Sequence, residues 1–144
     1  MTITHIDQLS HTTVPLAKAT AAIAAGIAKG TSLGAAFTIT VIDAGGYLVA
    51  AHRMDGAALA AIETSASKAT TALLFAQPTS DLVDAVQPGA PLFGIQHATR
   101  TPLAFVPGGV PITDENGLVI GAAGAGGGAP DEDHEVAATV AAAF

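Results

Sequence analysis

Cysteine is absent from this 144-residue chain. Its absence removes disulfides, thiolate nucleophiles and thiolate metal ligands together. Tryptophan is absent too, and with one Tyr and five Phe the core has to be built from small side chains. Such a core packs closely but buries little area per residue, so subunit association into a homo-oligomer is expected. Lys and Arg number five against twelve Asp and Glu, a net charge of −7. With no cluster of cations to neutralise phosphates, nucleic acid is excluded as a partner. Half of the chain is apolar, yet no apolar run reaches the roughly eighteen residues of a membrane span. Met1-Thr-Ile-Thr-His-Ile6 has neither the basic start nor the apolar stretch of a secretory leader, so a cytoplasmic location is expected.

The length fits one domain over residues 1–144. Pro15 to Ile27 reads as a helix, with Ser10 or Thr13 as its cap and Lys29-Gly30 as its stop. Phe37 to Ile42 and Tyr47 to Arg53 read as strands joined by the Asp43-Ala-Gly-Gly46 turn. In the second strand Leu48, Ala50, His52 and Met54 share one face, and Tyr47, Val49, Ala51 and Arg53 the other. Ala60 to Ala76 is a second helix, followed by a short helix from Thr79 or Ser80 to Val86 and a Pro/Gly-rich loop from Gln87 to Gly94. Leu103 to Val106 is read as a strand broken by Pro107-Gly-Gly109. Val110 to Thr113 and Leu118 to Ala125 form a hairpin across Asp114-Glu-Asn-Gly117. Gly126 to Ala129 is read as a flexible link, and Pro130 opens a last helix with acids in its first turn. Strands joined by short turns are antiparallel, which predicts an α+β fold with helices packed on a five-stranded sheet.

The segment from Val41 to Gly56 carries the strongest site signal, because its second strand ends in Arg53-Met-Asp55, residues a core would not select. Gly124-x-Gly126-x-x-Ala129 superficially resembles a dinucleotide fingerprint. No parallel strand follows its helix, and Asp131, Glu132 and Asp133 occupy the position of a pyrophosphate. Ser65-x-x-Lys68 matches a serine–lysine pair, but the companion motifs of such acyl-transfer enzymes are missing; Lys68 is expected to neutralise Glu63 or Asp55. The five histidines are His5, His11, His52, His97 and His134, and no two have the helical spacing of a metal pair. No metal site is expected. His52, beside Arg53-Met-Asp55, and His97, after the Pro/Gly-rich loop, are the candidates for ligation or proton transfer.

Taken in order, Val41-Ile-Asp-Ala-Gly-Gly46, Arg53-Met-Asp-Gly-Ala57, Ser67-Lys-Ala69, Val86-Gln-Pro-Gly89, Leu92-Phe-Gly94, Pro107-Gly-Gly-Val-Pro-Ile112, Ile120-Gly-Ala122 and Gly127-Gly128 leading to Asp133 resemble the haem-binding-protein/GlcG-like family. That family also supplies the carboxy-terminal domain of some cobalamin adenosyltransferases. The resemblance spans nearly all of the chain after Ser10. It implies a profilin-like or PAS-like α+β fold, a five-stranded antiparallel sheet flanked by helices, and homo-oligomers. It also implies haem as the cofactor of some members, with a ligand that varies between them. Two departures are His97 and the acidic, His134-bearing start of the last helix.

Two functional readings result, with a regulatory oligomer carrying a vestigial pocket as a third. As a haem-binding protein, the chain offers His52 with Met54, or His97, as axial ligand. Arg53 or Lys68 would receive a propionate, and Gly108, Gly109 and Gly127 would allow close approach. As a cofactor-independent isomerase, lyase or cyclase acting on a small oxygenated substrate, it offers His97 or His52 as general base, with Glu63 or Asp55 as acid or orienting group. Arg53 would hold a carboxylate, and backbone N–H groups at the glycine corners would stabilise an enolate. Both readings expect the hairpin, the glycine corners and Lys68 to converge on one concavity that takes a small-molecule ligand.

Overall fold

The computed structural model describes residues 14–144, so the expected caps Ser10 and Thr13, and His5 and His11, lie outside the described residues. Three α-helices, α1 (Leu16–Leu33), α2 (Ala61–Phe75) and α3 (Pro130–Ala142), pack on a sheet of β1 (Thr38–Asp43), β2 (Leu48–Arg53), β3 (Gly109–Thr113) and β4 (Val119–Gly126). The sheet order is β2-β1-β4-β3 and every pairing is antiparallel. The α+β class is as expected, but among the described residues the sheet has four strands rather than five.

The missing strand is Leu103 to Val106, which stands between Pro102 and Pro107 and joins no ladder. Side chains hold this segment instead. Thr71 Oγ1 accepts the Ala104 N–H at 2.8 Å, and Thr79 Oγ1 donates to the Val106 carbonyl at 2.7 Å. Phe105 packs edge-on to Phe75 with ring centroids 5.4 Å apart. Two threonine hydroxyls thus satisfy backbone groups that a neighbouring strand would otherwise have met.

Alternation along β1 separates the two cores. Phe37, Ile39 and Val41 face α1 and α3, where they meet Ala19, Ala22, Ile23, Val136 and Val140. Ile42 faces α2, with Ala69 and Ala72, and on the same side the Thr40 hydroxyl lies 2.9 Å from that of Ser65. A bulge between Val41 and Ile42 shifts the β1–β2 register. It places Leu48 on the α2 side, opposite Ile42, and Val49 against the α1-side core. The single alternation expected along β2 is therefore interrupted at Val49.

Glycines let the helices sit close. A Cβ at Gly109 or Gly124 would collide with the α2 backbone at Lys68 and Ser65, and one at Gly26 would reach Val140 at 2.5 Å. Gly30, expected to stop α1, is instead buried against the Phe37 ring. The helix runs on to Leu33 and ends at Gly34 with φ 75°. The two hairpins share one device: Asp43 Oδ1 accepts the N–H groups of Gly45 and Tyr47, and Asp114 Oδ1 those of Asn116 and Leu118. The expected helix after Thr79 consists of two short 3₁₀ turns, Thr79–Leu82 and Asp84–Val86, and a third covers Ile95–Ala98. No helix among the described residues is long and apolar enough to cross a membrane.

Candidate functional site

One end of the sheet gathers most of the residues singled out above. Arg53, Thr38 and Gly126 stand in register across β2, β1 and β4, and the Ala125 N–H donates to the Gly108 carbonyl beside them. Lys68, midway along α2, sends its side chain past Gly108 to the first turn of α3. There its Nζ lies 2.6 Å from Asp133 Oδ2 and 3.3 Å from the Ala125 carbonyl. A Cβ on Gly108 would stand 2.9 Å from Lys68 Cδ and 2.8 Å from Asp133 Cβ, so the missing side chain is the passage. Lys68 is therefore the partner of Asp133, not of Glu63 or Asp55 as the sequence proximity implied. Both side chains of the pair are buried.

The remaining Asp133 oxygen accepts the Gly128 N–H at 2.9 Å, and Glu132 Oε2 accepts the Ala129 N–H at 2.8 Å. Gly126 to Ala129, expected as a flexible link, is a bonded corner whose carboxylates serve the amino end of α3. Burial pushes the Asp133 carboxyl above the ordinary aspartate range. The bonds from Lys68 and the Gly128 N–H pull against that, and the neighbouring Glu132 adds to it. Lys68, Gly108 and Gly109 do come together, but the space among them is filled. Gly127, with φ 128°, turns the chain against the Ala36 carbonyl.

At the rim, His52 and Arg53 are exposed on opposite faces of the edge strand. His52 pairs with Ile39 on the α1 side, and Arg53 with Thr38 on the α2 side. The α2 helix lies over β1, β4 and β3, which leaves the Arg53 face of β2 open. Met54 turns inward: its sulfur lies 3.3 Å from the Phe37 nitrogen and packs on Gly30. That thioether is committed to the chain, whereas the His52 imidazole has no hydrogen-bond partner among the described residues. His97 is exposed on the third 3₁₀ turn, within an excursion anchored to the α2 side of the sheet by Thr71 and Thr79. Glu63 and Asp55 are exposed as well, and among the described residues no hydrogen bond or ion pair joins either to a histidine.

Two hollows among the described residues lie elsewhere. One of about 480 Å³ is lined by Gly45, Gly46, Thr70, Leu73 and Thr101 at the β1–β2 turn. Another of about 510 Å³ lies between Lys18, Thr113, Asn116 and Phe144. Both are at the opposite end of the sheet from Arg53. Among the described residues no three of His, Asp and Glu cluster as a metal site. Sequence reasoning missed Asp133 as the partner of Lys68. The only signal was its place in the first turn of α3, where a carboxylate has backbone N–H groups to meet. It also missed Thr38, whose buried hydroxyl has no partner among the described residues.

An antiparallel sheet with helices on both faces defines an α+β domain, with polar groups delivered to one strand end. Residues 14–142 match the family model described as haem-degrading protein, HbpS-like, and the chain belongs to that family. It is 36% identical over 132 residues to an uncharacterised 15.0 kDa protein of the dhaT–dhaS intergenic region of Citrobacter freundii, covering 92% of each. It is 35% identical over 106 residues to the corrinoid adenosyltransferase PduO of the same organism, of whose length it spans 31%. Among solved structures it resembles a PduOC–haem complex with a TM-score of 0.85 and 28% identity, covering 92% of this chain and 95% of that one.

Proposed function

We propose that this protein binds haem at the β2 end of the sheet. The observation that carries the reading is the likeness, over nearly the whole chain, to a domain solved as a haem complex. The donor types suit the group, and with His52 on the α1 face and Arg53 on the α2 face of the edge strand, haem would lie across the exposed edge of β2. His52 offers an exposed imidazole with no hydrogen-bond partner among the described residues, the axial ligand type that the absence of cysteine leaves available. Arg53 is exposed and makes no ion pair among the described residues, so its guanidinium is available to a propionate. Met54 is a poorer ligand because its sulfur is already used, and Lys68 is held by Asp133. When bound, haem would supply an iron centre for redox or oxygen chemistry. The chain's own part is to ligate and to hold the carboxylates. The proton-transfer alternative has no comparable support, since His97, Glu63 and Asp55 form no joint arrangement.

Titration with haem should produce a Soret band whose position shifts on binding. His52→Ala should weaken binding at least tenfold, about 1.4 kcal/mol, whereas Met54→Ala should leave the band position unchanged. Wild-type affinity in the His52 variant would remove that residue from the site, with His97→Ala then the next substitution to read. No haem-dependent band in the wild-type protein would sink the reading altogether.

The working form is proposed to be a homo-oligomer. Tyr47 and Leu48, at the entry to β2, and Leu59 and Ile62, at the entry to α2, are large, apolar and exposed. Large apolar side chains left exposed on α2 and on the edge strand suit burial against a second copy. The combined substitution Leu48→Lys and Ile62→Lys should lower the mass seen by sedimentation. An unchanged mass would place the contact on another face.

A further inference from the structure

We infer that Thr38, Thr64 and Arg53 form a carboxylate subsite at the amino end of α2; the inference rests on, and deepens, the haem-binding reading. Its starting point is a hydroxyl with nothing to do. Thr38 is 3% exposed, and its Oγ1 has no hydrogen-bond partner among the described residues. A buried hydroxyl left unpaired is costly, and a fold that keeps one where valine would fit calls for a reason.

The register says where that hydroxyl points. Thr38 and Thr40 share the α2 face of β1, and Thr40 is bonded to Ser65. Two residues back along the strand and four back along the helix are nearly equal steps, about 7 Å and 6 Å. Thr38 therefore faces the first turn of α2 at Ala61, whose methyl group offers it nothing. Its cross-strand neighbours on the same face are Arg53 on one side and Gly126 on the other. Over Gly126, the Thr64 hydroxyl oxygen lies 2.8 Å from where a Cβ would stand, so glycine is what leaves Thr64 its place. Thr64 is exposed and its hydroxyl makes no hydrogen bond among the described residues.

These groups suit a carboxylate. Arg53 brings a mobile cation from the open edge, and two hydroxyls can donate from the floor and wall. No side chain caps α2, and the positive end of its dipole adds to the attraction. The N–H groups of Ala61 and Ile62 are already bonded to the carbonyls of Ala58 and Leu59, so the direct donors are side chains. Glu63, the nearest acid on this helix, stands about 200° around the axis from Ala61 and points away. Asp55, two residues beyond Arg53, is exposed on the loop. Lys68 is spent on Asp133. The approach is from the β2 side, where Arg53 is exposed on the open edge strand, and the subsite requires the Arg53 side chain to move so that a carboxylate reaches Thr38.

A haem propionate and a small free monocarboxylate present the same chemistry, and one set of measurements separates them. The probes are haem, haem dimethyl ester and propionate, each on wild-type protein, Thr38→Val and Arg53→Gln. Thr38→Val is expected to raise the melting temperature of the ligand-free protein, because it removes the unpaired hydroxyl. It should also weaken haem binding about tenfold while leaving ester binding unchanged. Arg53→Gln should act in the same direction on haem and not on the ester. Stabilisation by propionate alone, lost in both variants, would assign the subsite to a free acid as well. Haem binding that is insensitive both to esterification and to Thr38→Val overturns the subsite and leaves the haem reading standing. If haem does not bind, the haem reading fails, and the propionate arm decides the subsite by itself. No stabilisation of wild-type protein by propionate would then overturn it.

Discussion

Gly124→Ala should be among the most damaging single-methyl changes in this molecule, with an expected loss on the order of 3 kcal/mol. Gly124 is a buried residue of β4 whose position faces α2, and a Cβ there would overlap the Ser65 carbonyl and crowd the Ala69 backbone nitrogen. The obstruction is helix backbone, so no rotamer change relieves it; α2 as a whole would have to rise off the sheet. That movement would pull Ser65 from Thr40, 2.9 Å away, and draw Lys68 away from Asp133. Gly34→Ala provides the comparison. A Cβ at that glycine would stand in open space, but the residue has φ 75°, so its cost is conformational and about 1 kcal/mol. Urea denaturation of the two variants should separate these costs by about 2 kcal/mol. Near-equal midpoints would mean that α2 is not seated on β4 as described.

The same contrast explains what the sequence did and did not disclose. Local chemistry was readable. Asp43-Ala-Gly-Gly46 and Asp114-Glu-Asn-Gly117 fold as the turns they spell, because an aspartate two and four residues before bare N–H groups needs no distant partner. The helices fell close to their expected places for the same reason. What failed was whatever depended on the third dimension. Gly30 looked like a stop and is a packing residue, since only the fold shows that Phe37 lies over it. Leu103 to Val106 had strand composition, but its hydrogen bonds go to threonines 33 and 27 residues away in sequence. Periodicity could not see the bulge that turns Leu48 to the α2 side. For the site, the polar end of β2 was legible in Arg53-Met-Asp55, yet which of these side chains is free was not. Met54 bonds inward while His52 and Arg53 stay outside, on opposite faces.

Removing Asp133 should cost even more than crowding Gly124. Asp133→Ala leaves the Lys68 ammonium buried without its counter-ion, an expected loss of about 3–5 kcal/mol. The double variant Lys68→Met, Asp133→Leu should recover most of that loss, because it removes both charges and fills the passage beside Gly108 with apolar atoms. A double variant no better than Asp133→Ala would mean that the pair secures the α2–α3 junction by more than charge balance, through the Gly128 N–H that Asp133 also accepts. The pH dependence gives a second reading. Burial raises the folded-state pKa of Asp133 above its ordinary value, so between those two pH values the folded chain holds a proton that the unfolded chain has released. Stability from this group is therefore full below the ordinary aspartate pKa and is lost as pH rises through the raised one. Relative to the double variant, the wild-type protein should gain stability as the pH falls through the raised pKa of Asp133 toward the ordinary aspartate range. A wild-type advantage that instead shrinks as the pH falls would mean that the attraction of Lys68 outweighs the burial of Asp133, and that the carboxyl pKa in the folded chain is lowered.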